Sequence, residues 1–274
     1  MNANHHFEIG NTHSVCEDYA TSGLVKNGAY AIVCDGCSAS PDVDFGARAL
    51  ALSAKRTLLL LNGGEMNYDL FGKVTIRNLE HIGDNIPLDP KALDATLLAA
   101  WVKENQFKAH LYGDGVFVHK SRTTLRMVHV SFEPGPDDKT CPAYLSYYLD
   151  KVRLKEYEDI QISKRVFDVS IYIGGQTPTL DAIEVEEFVK PFDPVLIKGI
   201  VEPGDVVAVI SDGVNSFRRS DSSVIEWQDC VNEFVGFKSL EGIFVQRRLS
   251  SLKRQWMKEQ TGHYDDISMA AIVV

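Results

Sequence analysis

Apolar residues recur along this chain with two different periods, and the period predicts the element. From Asp44 to Leu61 (DFGARALALSAKRTLLLL) they recur at helical spacing, and Asn62-Gly63-Gly64 follows as a stop, so a helix is predicted there. A second helix is predicted over Asp89 to Gln106, with Asp89 as its cap and Pro90 in the first helical position. Two more are predicted near Ser222–Phe234 and Leu240–Gln260, the latter with basic residues on its polar face. Short β-like runs lie between them at Ala29–Cys34, Val116–His119, Leu125–Phe132, Val166–Ile173, Asp205–Ile210 and Ile267–Val274. The final run must pair with earlier ones, so front and back are expected to share one domain covering residues 1–274. Glu133–Asp159 breaks the pattern with EPGPDD, a Tyr-rich patch and a charged run from Lys151 to Asp159, and reads as an inserted loop or flap.

Composition narrows the class. The 274 residues are 45% hydrophobic with Pro and Gly scattered singly, which excludes a disordered chain. Lys and Arg number 28 against 38 Asp and Glu, a net charge of −10, and that acidity argues against a nucleic-acid partner. The opening MNANHHFEIG lacks the basic and apolar regions of a signal peptide. The longest apolar tract near the front is broken by Lys55 and Arg56, so no membrane partner is expected. Five scattered cysteines suit reduced thiols and a cytoplasmic location. Cys34 and Cys37 make a C-x-x-C spacing, but two further ligands at zinc spacing are missing.

The informative polar residues are the acidic ones at the ends of apolar runs. Asp35-Gly36 follows AYAIVC, Asp212-Gly213 follows VVAVIS, Asp265-Asp266 precedes ISMAAIVV, and Glu17-Asp18 follows a short β-compatible segment. A carboxylate at the rim of a core is costly to desolvate, and several together repel one another unless a cation holds them. Hard divalent ions such as Mg²⁺ or Mn²⁺ take such oxygen ligands. A glycine after the aspartate leaves room for the backbone carbonyl to approach the ion. Asp-Gly is also a common turn pair, so a single instance carries little and the set carries the weight.

In this order the motifs resemble those of the metal-dependent serine/threonine protein phosphatases, type 2C (the PPM family). The residues are Glu17-Asp18, Asp35-Gly36, Ser211-Asp212-Gly213 and Asp265-Asp266-Ile267-Ser268, with VEPGDVVAVISDGV similar to the family's Pro-Gly-Asp, apolar strand, Ser-Asp-Gly block. Asp94-Ala95-Thr96 stands where the family has a Gly-Ser/Cys-Thr turn, and Tyr112-Gly113-Asp114-Gly115 where it has Gly-Asp-Ser-Arg. GNTHSVCEDYA followed by DGCSASPDVDFGARA is most similar to a bacterial or phage-type subgroup. The resemblance runs from about residue 8 to 274, leaving Glu133–Asp159 unmatched.

The resemblance implies an α+β fold, a four-layer αββα sandwich of two packed antiparallel sheets flanked by helix pairs. It implies two Mg²⁺ or Mn²⁺ ions, with Asp35 bridging both, the Gly36 carbonyl binding one, Asp212 and Asp265 completing one, and Glu17 reaching the other through water. Asp114 would help hold a third, weaker ion, and Asp18 would orient metal-bound water, so Asp35 and Asp18 are the candidate catalytic residues. The implied reaction is hydrolysis of phosphoserine or phosphothreonine in proteins by direct attack of a metal-bridging water, on substrates supplied by a Ser/Thr kinase. Two departures stand out. His13 occupies the place, four residues before the family's Glu, where many members grip phosphate with Arg, and Cys37 stands where eukaryotic relatives carry a His proposed as general acid. His13 is a candidate phosphate ligand, and His13, His263 or metal-bound water could supply a leaving-group proton. The competing expectations are a non-catalytic phosphoprotein-binding or regulatory module on the same fold, and a metal-dependent hydrolase of small phosphate esters.

Overall fold

The apolar run AYAIVC lies inside β3 (Gly28–Asp35), and every residue from Gly28 to Cys34 is buried. A strand buried on both faces has no polar side to alternate with, and so reads as one continuous apolar run. The computed structural model describes residues 1–61, 68–83, 86, 88–134, 142–160, 163–173, 183–186 and 193–274. Around β3 an antiparallel sheet is ordered β2 (Asp18–Val25), β3, β4 (Leu97–Lys103), β5 (Gln106–Tyr112), β10 (Val195–Ile200) and β9 (Ile183–Glu186). A second antiparallel sheet is ordered β1 (Asn2–Glu8), β14 (Ile267–Val273), β11 (Val206–Ile210), β6 (Gly115–Lys120), β7 (Thr124–Pro134) and β8 (Ser163–Ile173).

The two sheets pack face to face through Val33, Leu98 and Phe107 on one side and Phe117, Val209 and Ile272 on the other. Phe107 and Phe117 stack across this seam with ring centroids 5.3 Å apart. Helix α1 (Val43–Leu60) and α2 (Tyr68–Gly83) cover the outer face of the β3 sheet through Leu50, Leu58, Phe71 and Leu79. Helix α4 (Trp227–Phe234) and α5 (Phe244–Lys258) cover the other sheet through Trp227, Phe234, Leu249 and Trp256. The result is the expected four-layer αββα sandwich. Among the described residues no helix is long and apolar enough to cross a membrane.

Several local expectations need correcting. The second predicted helix does not form. Asp89 does cap, accepting from Lys91 N–H at 2.8 Å, but only a single turn at Pro90–Leu93 follows. The rest of that stretch is the hairpin β4–β5, turned at Glu104 with φ of 56°. Leu97 to Val102 is buried at every position, and a short run apolar on all sides does not distinguish helix from buried strand. Helices α4 and α5 begin later than predicted, while α2, β1, β2, β4, β5, β9 and β10 were not anticipated.

The inserted stretch folds more than a loop does. Within Glu133–Asp159 there is a turn at Leu145–Leu149 and helix α3 (Lys151–Ile160), and Tyr144, Tyr147 and Tyr157 form a small buried cluster against Cys37. Residues 135–141, with Cys141, and the predicted stop Asn62-Gly63-Gly64 lie outside the described residues. Cys34 and Cys37 face different clusters, Cys34 the layer under α1 and Cys37 the tyrosines, so they form no joint ligand pair.

Candidate metal centre

Asp18 opens β2, Asp35 closes β3, and antiparallel register places them directly opposite. Side chains so paired are about 5 Å apart at Cβ, a destabilising arrangement for two like charges. Asp212 follows β11 after Ser211, and Asp265 lies just before β14, which pairs with β11. Asp114 sits in the turn where the chain leaves β5 in one sheet and enters β6 in the other. The five aspartates thus gather at one end of the sandwich.

Their electrostatics identify Asp212 as the shared neighbour. Burial pushes the Asp18 carboxyl up to about 7, with the Asp212 charge adding to the rise and contacts to Asp35, Ser268 and Ser211 opposing it. Burial, then the charges of Asp18 and Asp212, hold Asp35 well above the usual carboxylate range. Asp114 is raised by burial and then by Asp212 and Asp265, and Asp265 by burial and then by Asp212. The basic ring that reaches this group is His13, with Nδ1 3.1 Å from Asp266 Oδ2, Nε2 3.5 Å from Asp265 Oδ1, and Nδ1 3.9 Å from Glu17 Oε2. Burial alone would lower His13, but Asp266, Glu17 and Asp265 outweigh it and raise it.

Both Asp18 oxygens, Glu17 Oε2 and Asp114 Oδ1 are buried without a hydrogen bond. One such orphaned group costs about 1–3 kcal/mol and a charged one more, so a cluster of them calls for a cation. The donors are all oxygen, the choice of Mg²⁺ and Mn²⁺ and not of zinc. Among the described residues no three His, Cys, Asp or Glu side chains already stand where they could hold a metal ion. The set therefore fits a hard divalent cation in donor type, and closing on one requires side-chain movement.

The backbone around the carboxylates is held from three directions. Asp35 N–H donates to Thr96 Oγ1 at 3.1 Å and its carbonyl accepts from Thr96 N–H at 2.8 Å, while Gly36 N–H donates to the Glu17 carbonyl at 3.2 Å. Glycine at 36 and 213 serves close packing. A Cβ at Gly36 would meet Val43 at 2.1 Å, and one at Gly213 would meet the Asp266 carbonyl at 1.7 Å. The insert supplies the third hold through Asp94, whose carbonyl accepts from Cys37 N–H at 2.9 Å. Asp94 accepts from Ser146 at 2.7 Å and pairs with Arg153, whose guanidinium lies 4.4 Å over the Tyr147 ring.

Asp266 was missed as a site residue. Buried, it accepts Gly10 N–H at 2.6 Å and Glu17 N–H at 2.5 Å, and so fixes the loop that carries His13 and Glu17. The Asp265-Asp266 doublet was its visible signal. His263 is not among the carboxylates. Its Nε2 donates to the Ile9 carbonyl at 3.1 Å, and its ring stacks on Phe217 at 5.3 Å.

Comparison with known proteins bears on the fold. Residues 10–136 match the family model for protein phosphatase 2C. A bacterial serine phosphatase superposes with a TM-score of 0.56 at 14% identity, covering 100% of this chain and 98% of that one. The catalytic domain of the serine/threonine protein phosphatase PstP, solved with two manganese ions, gives 0.54 at 14% identity over 100% and 98%. The serine/threonine phosphatase of S. agalactiae gives 0.52 at 16% identity over 100% and 99%. None of the curated proteins compared with the chain matches it.

Proposed function

With the protein phosphatase 2C pattern carried by residues 10–136 and that family's fold carried by the whole chain, we propose that the protein is a metal-dependent phosphatase acting on phosphoserine and phosphothreonine in proteins. The observation that carries this reading is the group of orphaned, mutually repelling carboxylates drawn from both ends of the chain to one end of the sandwich. Asp35, Asp212, Asp265, Glu17 and the Gly36 carbonyl would hold two Mg²⁺ or Mn²⁺ ions, and Asp114 a third, weaker one. Ions bound there would supply an activated water and a clamp on the phosphoryl oxygens for in-line attack.

The chain's own residues do the rest. Asp18, opposite Asp35, would accept from a water held there and keep it oriented. His13 can donate to a phosphoryl oxygen, with less charge and a simpler geometry than arginine's fork. Asp266 holds the loop that presents Glu17 and His13. One catalytic domain spans the chain in this reading, with the folded insert bracing the Asp35–Cys37 turn. Cys16, Cys34, Cys37 and Cys230 are free thiols, which suits a cytoplasmic enzyme opposing a Ser/Thr kinase.

The decisive experiment is phosphate release from a phosphothreonine peptide with and without Mn²⁺. Turnover that needs Mn²⁺ and disappears in Asp35→Asn and Asp212→Asn is expected. A chain that binds Mn²⁺ and phosphopeptide without turnover would instead be a regulatory module on this fold, the reading favoured by His13 in the arginine's place.

A further inference from the structure

We propose that a basic pocket beside the start of α5 is a docking site for an acidic polypeptide segment of a partner protein. The pocket, about 450 Å³, is lined by Lys238, Ile243, Phe244, Arg247, Arg248 and Arg254 among others. Helix α5 carries Arg247, Arg248, Lys253, Arg254 and Lys258 and no Asp or Glu, in a chain whose net charge is −10. Arg247 and Arg254 are seven residues apart with Ser250 and Ser251 between, so all four share one helical face.

That arrangement works against the helix. Arg247 and Arg248 stand near its N-terminus, where the macrodipole disfavours cations, and no acidic residue of α5 offsets the repulsion among its basic ones. Arg248 is neutralised by Glu233 at 2.7 Å, but among the described residues Arg247 has no ion pair and donates to the Glu241 carbonyl at 2.6 Å. Among the described residues Arg254 and Lys238 have no ion pair. Glu233 and Glu8 compensate Arg248 and Lys253, while Lys238, Arg247 and Arg254, with no such partner among the described residues, line the pocket, as on a surface kept for something outside the fold.

The site is separate from the carboxylates. Asn4 Oδ1 accepts Val245 N–H at 2.9 Å and Asn2 Nδ2 donates to the Leu240 carbonyl at 2.8 Å, tying the pocket to the start of β1. In register, Asn2 lies opposite Val273, at the end of β14 remote from Asp265. The shape selects a peptide among anions. Cations surround an apolar floor formed by the 53% exposed Ile243, Phe244 being buried, which suits acidic side chains flanking an apolar one. A duplex or an anionic bilayer would also meet the acidic remainder of the surface, whereas a short segment feels charges within the Debye length of about 8 Å.

The test is fluorescence anisotropy of the full chain with a labelled peptide rich in Glu and Asp around a central Leu. Saturable binding that weakens with salt is expected, and about tenfold loss in Arg247→Gln/Arg254→Gln at unchanged melting temperature. Ile243→Glu, a like charge set on the exposed floor, must weaken it as well. A control pair on exposed positions elsewhere, Arg56→Gln/Lys91→Gln, should leave it within about twofold. No saturable binding of the peptide, equal loss in the control pair, or saturable binding only of duplex DNA or anionic vesicles put in the peptide's place overturns the proposal. Binding is read without turnover, so the result stands apart from the phosphatase reading.

Discussion

Asp94 and Asp18 are equally buried, each 3% exposed, and both flank the strand end that carries Asp35, yet their surroundings are opposite. Asp94 is gripped by Arg153 and Ser146 from the insert, with Ser40 at 3.5 Å. Asp18 faces two further aspartates, and neither of its oxygens has a hydrogen bond. One carboxylate is finished by the fold and acts as a brace. The other is left unfinished, which costs stability and makes sense where a cation completes it.

The most severe way to break this contrast is Asp35→Asn. Mn²⁺-dependent phosphate release should fall by at least about a hundredfold, because the residue opposite Asp18 loses its charge. Mn²⁺ should raise the melting temperature of the parent protein by mass action and should do so far less for the variant. Without metal the variant should be as stable as the parent or slightly more so, since burial and the neighbouring aspartates already disfavour a charge at position 35. Calorimetry with and without Mn²⁺ checks both halves; equal stabilisation of the two proteins would dismiss Asp35 as a ligand.

Asp94→Ala attacks the finished side. It strips Arg153 and Ser146 of their acceptor, and urea denaturation should show a loss of about 2–4 kcal/mol. The lower part of that range is favoured because Arg153 is 19% exposed and its guanidinium can turn to water. Turnover should fall too, since Cys37 N–H hangs from the Asp94 backbone beside Gly36. Arg153→Ala should show the same effects at smaller size, and unchanged stability in both variants would mean the insert is held elsewhere.

How much of this could be read in advance follows the same divide. The central strands β3, β11 and β14 were legible because burial on both faces makes continuous apolar runs, and the acidic marks at their ends are the carboxylates that the fold gathers at one end of the sandwich. The same continuity misled at β4, where LLAAWV has no polar face to fix its period. Helix α2 escaped notice although its buried Phe71, Thr75, Ile76 and Leu79 fall at helical spacing. Asp94 was quoted for its place in a motif, but nothing local announces that Ser146 and Arg153, more than fifty residues away, complete it. Asp266 was hidden by being adjacent to a better candidate.

Buried histidines repeat the contrast more gently. His119 Nε2 lies 3.0 Å from Asp205 Oδ2, whereas His110 packs edge-on against Phe71 and Trp101 with its Nδ1 unbonded. Burial, with a smaller push from Lys108, takes His110 down to about 3. The unfolded chain therefore binds the extra proton first as pH falls below about 6.5, and stability drops by about 1.4 kcal/mol per pH unit until His110 itself titrates. Above pH 6.5 the group contributes no slope. His110→Phe should remove this component, so the two proteins should diverge steadily in urea midpoint between pH 6.5 and 4. Parallel curves would mean the ring reaches solvent when charged.

His13 separates the two halves of the comparison on the smallest scale, since it touches the unfinished cluster and could also touch substrate. If it donates to phosphate, His13→Ala should raise KM for a phosphopeptide about threefold to fivefold with kcat within about twofold, the cost of one modest hydrogen bond. His13→Arg should lower KM, because a permanent charge and a forked donor suit a phosphoryl group better than an imidazole. If its work is to hold Asp265 and Asp266, from which it stands 3.5 and 3.1 Å, His13→Ala should instead lower kcat and weaken Mn²⁺ binding while KM stays put. The direction of the KM change in the arginine variant decides between them, because added charge beside the aspartates could brace them without bringing phosphate closer.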